Sequence, residues 1–222
     1  MITVHHLENS RSQRILWMLE EMGVEYELKR YERDRKTNLA PPELKEIHPL
    51  GKSPVITDGN QTIAETGAIV EYLVDKYGNG RFRPAAGSDE LLRYRYWLHA
   101  AEGTLMPLMV MTLIFNKIET AAPMLVRPIA KGISGQVKKT YLQPNTRANM
   151  EHIEAELGRS TWFAGEELSG ADFMMIFPIE AMMKRTHMAD KYPRIKAYAE
   201  RVHAMPGYRR ALERGGPYDF AS

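Results

Sequence analysis

Three short stretches combine residue types that can hold a small charged ligand. Ser10-Arg11-Ser12-Gln13-Arg14 stands where a β-rich segment gives way to helical spacing. A helix start offers unpaired N–H groups and partial positive charge. A hydroxyl there can donate to an anion held at the same place; Ser10 reads equally as a plain helix N-cap. Gly51-Lys52-Ser53-Pro54-Val55-Ile56 sets a proline at the mouth of a strand. A cis bond before Pro54 would leave the Ser53 N–H and C=O open like a sheet edge, which an extended peptide can join. A trans bond would make Pro54 the start of an edge strand. In Ala64-Glu65-Thr66-Gly67-Ala68-Ile69, Thr66 can offer N–H and hydroxyl to a carboxylate, and Glu65 can receive an ammonium. Together they suit the amino-acid end of a zwitterion, and they also read as an ordinary helix start.

These stretches need elements to hold them. Residues 2–7 are short and β-rich, and Ile15, Leu16, Leu19 and Met22 recur at helical spacing up to Gly23. Residues 26–31 form a second strand, and residues 41–47 a short helix opened by proline. Val55-Ile56-Thr57 and Gln61-Thr62-Ile63-Ala64 flank Asp58-Gly59-Asn60, a tight-hairpin signal. Glu65 to Tyr77 is a helix with Ile69, Val70, Leu73 and Val74 on its apolar face. The order β-α-β-(α)-β-β-α implies a small α/β domain with a mixed sheet, over residues 1–80.

Glycine and proline at residues 78–87 read as a linker. From residue 88 to 222 only helical patterns follow, so the second domain is all-α. Leu91, Tyr94, Leu98, Ala101, Leu105 and Leu108 predict one long helix bent at Pro107. Val126, Ile129, Ile133 and Val137 repeat the pattern, as do Met150, Ile153 and Leu157. Ser169-Gly170-Ala171-Asp172 is a variant capping box with aspartate in place of glutamate. Ile195, Tyr198, Val202 and Met205 mark a last helix.

Composition narrows the function classes. Of 222 residues, 30 are Lys or Arg and 28 Asp or Glu, so the net charge of +2 gives no reason to expect nucleic acid. No cysteine is present, which excludes a disulfide framework, a cysteine nucleophile and a thiolate metal site. The seven histidines show no ligand spacing with carboxylates, so no metal is expected. No signal peptide and no membrane span are read, and a cytoplasmic protein is the expectation.

The order and spacing of the three stretches inside this unit, followed by a helical domain, resemble the cytosolic glutathione transferases over nearly the whole chain. The best local matches are Ser10 with Arg14, His48-Pro49-Leu50-Gly51-Lys52-Ser53-Pro54, Glu65-Thr66-Gly67-Ala68-Ile69 and Ser169-Gly170-Ala171-Asp172; residues 10–21 are similar to a bacterial and fungal branch. The resemblance implies a thioredoxin-like N-terminal domain, an all-helical C-terminal domain lining the electrophile site, a homodimer, and reduced glutathione as co-substrate. It gives Ser10 the glutathione sulfur, Ser53 before a cis Pro54 the cysteinyl backbone, Lys52 the glycine end, and Glu65 and Thr66 the γ-glutamyl group. Thr66 replaces a more usual serine but keeps the hydroxyl, and Ser53 replaces a more usual apolar residue whose contacts are through the backbone.

The chemistry expected is thiolate attack on a small hydrophobic electrophile. A free thiol titrates near ~8.5, so little is thiolate at neutral pH. Lowering that by one unit takes ~1.4 kcal/mol, the size of one charge-assisted hydrogen bond. Arg11 or Arg14 can add positive field, or Arg14 can be structural. No tyrosine precedes Val24 to do the work of Ser10. Met106, Met109 and His99 are candidates for the electrophile pocket, with Glu102 nearby, and each methionine reads equally as core. Glutathione-dependent peroxide reduction, a non-catalytic carrier and an interaction module of the same fold are the alternatives.

Overall fold

The computed structural model describes residues 1–186 and 191–221. The first unit runs β1 (Ile2–Leu7), α1 (Gln13–Met22), β2 (Tyr26–Tyr31), α2 (Leu44–Ile47), β3 (Val55–Asp58), β4 (Gln61–Ala64) and α3 (Thr66–Tyr77). Its sheet has the order β2-β1-β3-β4; β1 and β2 are parallel, while β1–β3 and β3–β4 are antiparallel. Register sets Val4 opposite Leu28 on one side and Ile56 on the other. Gly23 closes α1 at φ 68°, where a Cβ would be strained. The short α2 segment is confined to Leu44–Ile47, because Pro41 and Pro42 lead in through turns that Leu44 and Lys45 close.

The helical unit comprises α4 (Asp89–Ala100), α5 (Met106–Ala121), α6 (Arg127–Val137), α7 (Gln143–Glu156), α8 (Gly170–Thr186), α9 (Pro193–Ala204) and α10 (Pro206–Gly215). Helices α4 and α5 are joined by a π turn at Ala101–Leu105, and α6 and α7 by another at Lys138–Leu142. Each π turn ends two residues before a proline, Pro107 or Pro144. Proline has no N–H to give, and its ring crowds the carbonyl four residues back. The backbone answers by widening one turn: Met106 N–H reaches the Ala101 carbonyl and Gln143 N–H the Lys138 carbonyl. The bend expected at Pro107 is therefore a widened turn inside the continuous helix Asp89–Ala121, and that turn carries Glu102. This helix is long and apolar enough to cross a membrane by length and composition, although the longest run in the sequence is interrupted.

One hydrophobic core crosses both units. Trp17 of α1 is fully buried, with its ring 4.6 Å from Phe173 of α8 and 5.7 Å from Tyr208 of α10. Each such large side chain contributes about 1.5–3 kcal/mol through burial. Leu7, Tyr31 and Leu44 form a small second cluster under α2. The apolar stripe of α6 is not part of the core; Ile129 and Ile133 are exposed, as are Leu113, Ile114 and Ile118 on α5.

Glu180 of α8 is buried and accepts from His203 Nε2 at 2.8 Å, from the Tyr208 hydroxyl, and from the Tyr218 hydroxyl at 2.6 Å. These bonds fasten α9, α10 and the C-terminal segment to α8. At the start of α8, Asp172 accepts from Ser169 N–H and Oγ and from Phe163 N–H. Burial pushes its carboxyl up to about 6 against those three donors. Half of the expected capping box thus forms, with the Ser169 hydroxyl donating to the aspartate.

Candidate active site

The chain leaves β1 through Glu8 and Asn9, and Asn9 takes a positive φ of 47°, which asparagine tolerates better than most residues. Ser10 follows, but it is not the N-cap of α1. Three successive turns, closed by Gln13, Arg14 and Ile15, bring the chain into the helix, and the capping position falls on Ser12. Ser10 is thus released from capping. Its side chain borders a cavity of about 530 Å³ shared with Arg11, Lys52, Ser53, Arg33, Met106 and Phe177.

The Ser53-Pro54 bond is cis. The Ser53 hydroxyl turns back into the sheet, donating to the His5 carbonyl at 2.9 Å and accepting from Leu7 N–H at 3.3 Å. Neither the N–H nor the C=O of Ser53 is bonded to another described residue. That pair is free for an extended ligand, as strand addition requires.

Glu65 precedes α3 at φ 71° and ψ 125°, outside the regions that a non-glycine residue prefers. Strain of that kind costs on the order of 1–3 kcal/mol and clusters at ligand sites. It carries the exposed carboxylate to the side of a smaller recess lined by Arg11, Lys52, Ser53, Pro54, Glu65 and Thr66. The recess thus joins one carboxylate, two cations and a helix start, the set that a zwitterion needs. Thr66 is buried, and its hydroxyl accepts from Arg14 at 3.5 Å.

Arg14 itself is almost fully buried and lines neither recess. It donates to the Met174 carbonyl at 2.6 Å and to Glu102, and lies 5.5 Å over the Phe177 ring. Arg11 reaches the other Glu102 oxygen at 2.6 Å. Burial alone would raise the Glu102 carboxyl, yet Arg14 and Arg11 hold it below its ordinary value. Arg14 is therefore a tie between α1, α4–α5 and α8, while Arg11 borders both ligand recesses.

Of the residues expected at the electrophile pocket, Met106 lines the cavity at Ser10 and an adjoining one, and Met109 lines the adjoining one. His99 is exposed on α4 and lines neither, because the phase of the helix turns it outward. The sequence reading missed Asn9, Arg33, Phe177 and Phe220. Phe177 follows the capping box Ser169–Asp172 that announces this helix, so its place was within reach. Phe220 had no periodic pattern to announce it. Arg33 sat in a mixed-charge run; its guanidinium binds the carbonyls of Glu8, Asn9 and Asn38. Among the described residues no three His, Asp or Glu side chains cluster as metal ligands would.

Comparison with known proteins agrees with this geometry. The sequence profile of the glutathione S-transferase N-terminal domain matches residues 1–75, and that of the C-terminal domain matches residues 105–206. Glutathione S-transferase 3 of Schizosaccharomyces pombe is 39% identical over 216 residues, covering 96% of this chain and 88% of its own. A glutathione S-transferase structure from Actinobacillus pleuropneumoniae superposes with a TM-score of 0.79 at 35% identity, covering 100% of this chain and 96% of that one. A glutathione transferase family member from Pseudomonas fluorescens, solved with two glutathione molecules bound, gives 0.73 at 25% identity and covers 96% and 92%. The chain belongs to the glutathione S-transferase family and is a glutathione transferase, with reduced glutathione as its co-substrate.

Proposed function

We propose that this enzyme conjugates glutathione to small hydrophobic electrophiles, with the thiolate held by the Ser10 hydroxyl. The observation that carries this reading is the company Ser10 keeps. One cavity joins it to the unpaired Ser53 backbone on the sheet side and to Met106 and Phe177 on the helical side. A peptide thiol laid along Ser53 and an apolar acceptor laid on Met106 meet at Ser10. Lys52 takes the glycine carboxylate, the backbone of Ser53 beside Pro54 takes the cysteinyl unit, and Glu65 with the N–H of Thr66 takes the γ-glutamyl group. The Pseudomonas relative was solved with two glutathione molecules bound, which supports glutathione as the ligand.

A homodimer belongs to this proposal. Exposed Leu92 and Tyr96 on α4 are apolar surface available for a second copy. Sedimentation equilibrium gives the mass directly. A cytoplasmic location is also proposed, and the absence of cysteine suits a reducing compartment.

Ser10→Ala tests the role of the hydroxyl. Loss of one charge-assisted hydrogen bond predicts about a 10- to 100-fold fall in kcat with small electrophiles. Glutathione affinity by calorimetry should change far less. Equal loss of affinity and turnover would move the sulfur contact elsewhere. Turnover with peroxides and none with electrophiles would favour the peroxidase, and binding with no turnover the carrier.

A further inference from the structure

The hydroxyl assigned to the thiolate is already engaged in the free protein. Ser10 Oγ lies 2.7 Å from Ser12 Oγ, and the Ser12 N–H donates to Ser10 Oγ at 3.2 Å. Ser12 Oγ lies 2.8 Å from His6 Nδ1, with the Leu7 carbonyl more distant at 3.3 Å. Ser10, Ser12 and His6 are all buried. Their hydroxyl hydrogens must therefore find partners within this chain of groups.

The direction of those hydrogens follows from the imidazole. Burial, aided by the charge of Arg30 on β2, pushes the His6 ring down to about 4, while the Gly215 carbonyl on α10 and Glu8 beyond β1 pull the other way. The ring is neutral at physiological pH, with one donor nitrogen and one acceptor nitrogen. We assign the proton to Nε2 and the lone pair to Nδ1, where it faces the Ser12 hydroxyl. The Ser12 hydroxyl then gives its one hydrogen to Nδ1. Toward Ser10 it has only lone pairs left, and at 2.7 Å it accepts the Ser10 hydrogen.

We propose that Ser12, oriented by His6, is an internal competitor for the Ser10 hydroxyl proton, so that the sulfur of glutathione must draw this proton away from a buried acceptor. The inference rests on the reading of Ser10 as the thiolate's donor and deepens it. Once Ser10 turns outward, the two serine oxygens face each other without a hydrogen between them, unless Ser12 releases His6 and leaves Nδ1 unmet. Either arrangement is unfavourable. The relay therefore leaves the bound thiol less acidic than an unopposed serine would. Ser12 and His6 are positioning residues acting through Ser10.

Ser12→Ala is the direct test. The Ser12 side chain caps no backbone N–H of α1, so alanine keeps the helix start. Titration of the ultraviolet absorbance of bound thiolate should move about half a unit to one unit lower in pH, the equivalent of one hydrogen bond of ordinary strength. The acidic limb of kcat/KM should move with it. Ser12→Thr, which keeps the hydroxyl, should restore the original titration. His6→Phe should shift it in the same direction by a smaller amount, since Ser12 regains its own hydrogen for Ser10. In Ser10→Ala the thiol should titrate higher, and adding Ser12→Ala to that variant should change nothing. An unmoved or raised titration in Ser12→Ala overturns the competitor role while leaving Ser10 as donor. A Ser12 shift that persists without Ser10 also overturns it. An unmoved titration in Ser10→Ala refutes the donor reading and the relay with it.

Discussion

On the sheet side of the cleft, a ligand meets main chain: the unpaired N–H and C=O of Ser53, the start of α3 at Thr66, and a carboxylate carried by the unusual backbone of Glu65. On the helical side it meets side chains: Met106 on α5, Phe177 on α8 and Phe220 from the C-terminal segment. The difference matches what each side is asked to recognise. Glutathione is one compound, and in the proposed site much of it meets main chain fixed by the fold, with Lys52 and Glu65 adding charge at its two ends. The proposed electrophile wall is methionine and phenylalanine, which adapt by repacking, so substitutions there should change the ligand range without disturbing the sheet.

The two walls are not independent, and the largest expected effect comes from cutting the tie between them. Arg14 on α1 holds Glu102 of the π turn and the Met174 carbonyl of α8 at once. Arg14→Met keeps much of the volume but leaves the carbonyl without that donor and Glu102 with Arg11 alone. Breaking a buried pair of this kind costs about 3 kcal/mol, or about 6–12 °C in Tm for a chain of this length. Thermal unfolding followed by circular dichroism measures it. An unchanged Tm with lower turnover would instead make Arg14 a source of field at the thiolate.

The sheet wall was the more legible of the two in the sequence, for a physical reason. β1, β2, the hairpin at Gly59-Asn60 and the α3 start are each specified by local patterns, and the site residues sit at their ends. Ser10, Lys52, Ser53, Glu65 and Thr66 could therefore be named from neighbouring residues. The helical wall depends on the phase of a long helix that is reset by one residue at the π turn before Pro107. Simple 3.6-residue counting cannot follow that reset; His99 on α4 and Phe177 on α8 lie outside it, and their places depend on how the helices pack across the chain. Arg14 read ambiguously because its partners, Glu102 and Met174, are 88 and 160 residues away. The contacts of Ser12 with Ser10 and His6 were hidden for a different reason: serine before a helix looks like a cap whatever its hydroxyl holds.

Glu65 sharpens the account of the sheet wall, because stability and binding should move in opposite directions there. Its φ of 71° favours glycine. Glu65→Gly should relieve about 1 kcal/mol of backbone strain, raising Tm by about 2–4 °C. The same variant removes the carboxylate proposed for the γ-glutamyl ammonium, and glutathione affinity should fall about 10-fold. Calorimetric titration and thermal unfolding on one preparation read both. A stabilised variant with unchanged affinity would mean that the backbone of this turn, without the carboxylate, suffices for recognition.

The smallest effect is expected on the helical wall, and its value lies in its selectivity. Phe220 packs against Phe177, with ring centroids 5.2 Å apart, and borders the cavity with Met106, Met109 and Leu113. The segment carrying it is fixed by the bond from Asp219 N–H to Asn9 Oδ1 at 2.8 Å and by the Tyr218 hydroxyl on Glu180. Phe220→Ala keeps both anchors, since neither uses the ring. It enlarges the wall while Ser10 and Ser53 stay in place. Compact electrophiles lose an aromatic contact, and bulky ones gain room. The ratio of kcat/KM for a bulky over a compact electrophile should rise about 3- to 10-fold, the equivalent of about 1 kcal/mol. Glutathione affinity should remain within about twofold, because nothing the tripeptide is proposed to touch has moved. A parallel loss of glutathione affinity would show that the C-terminal segment positions Ser10 through Asn9, and the two walls would then have to be treated as one.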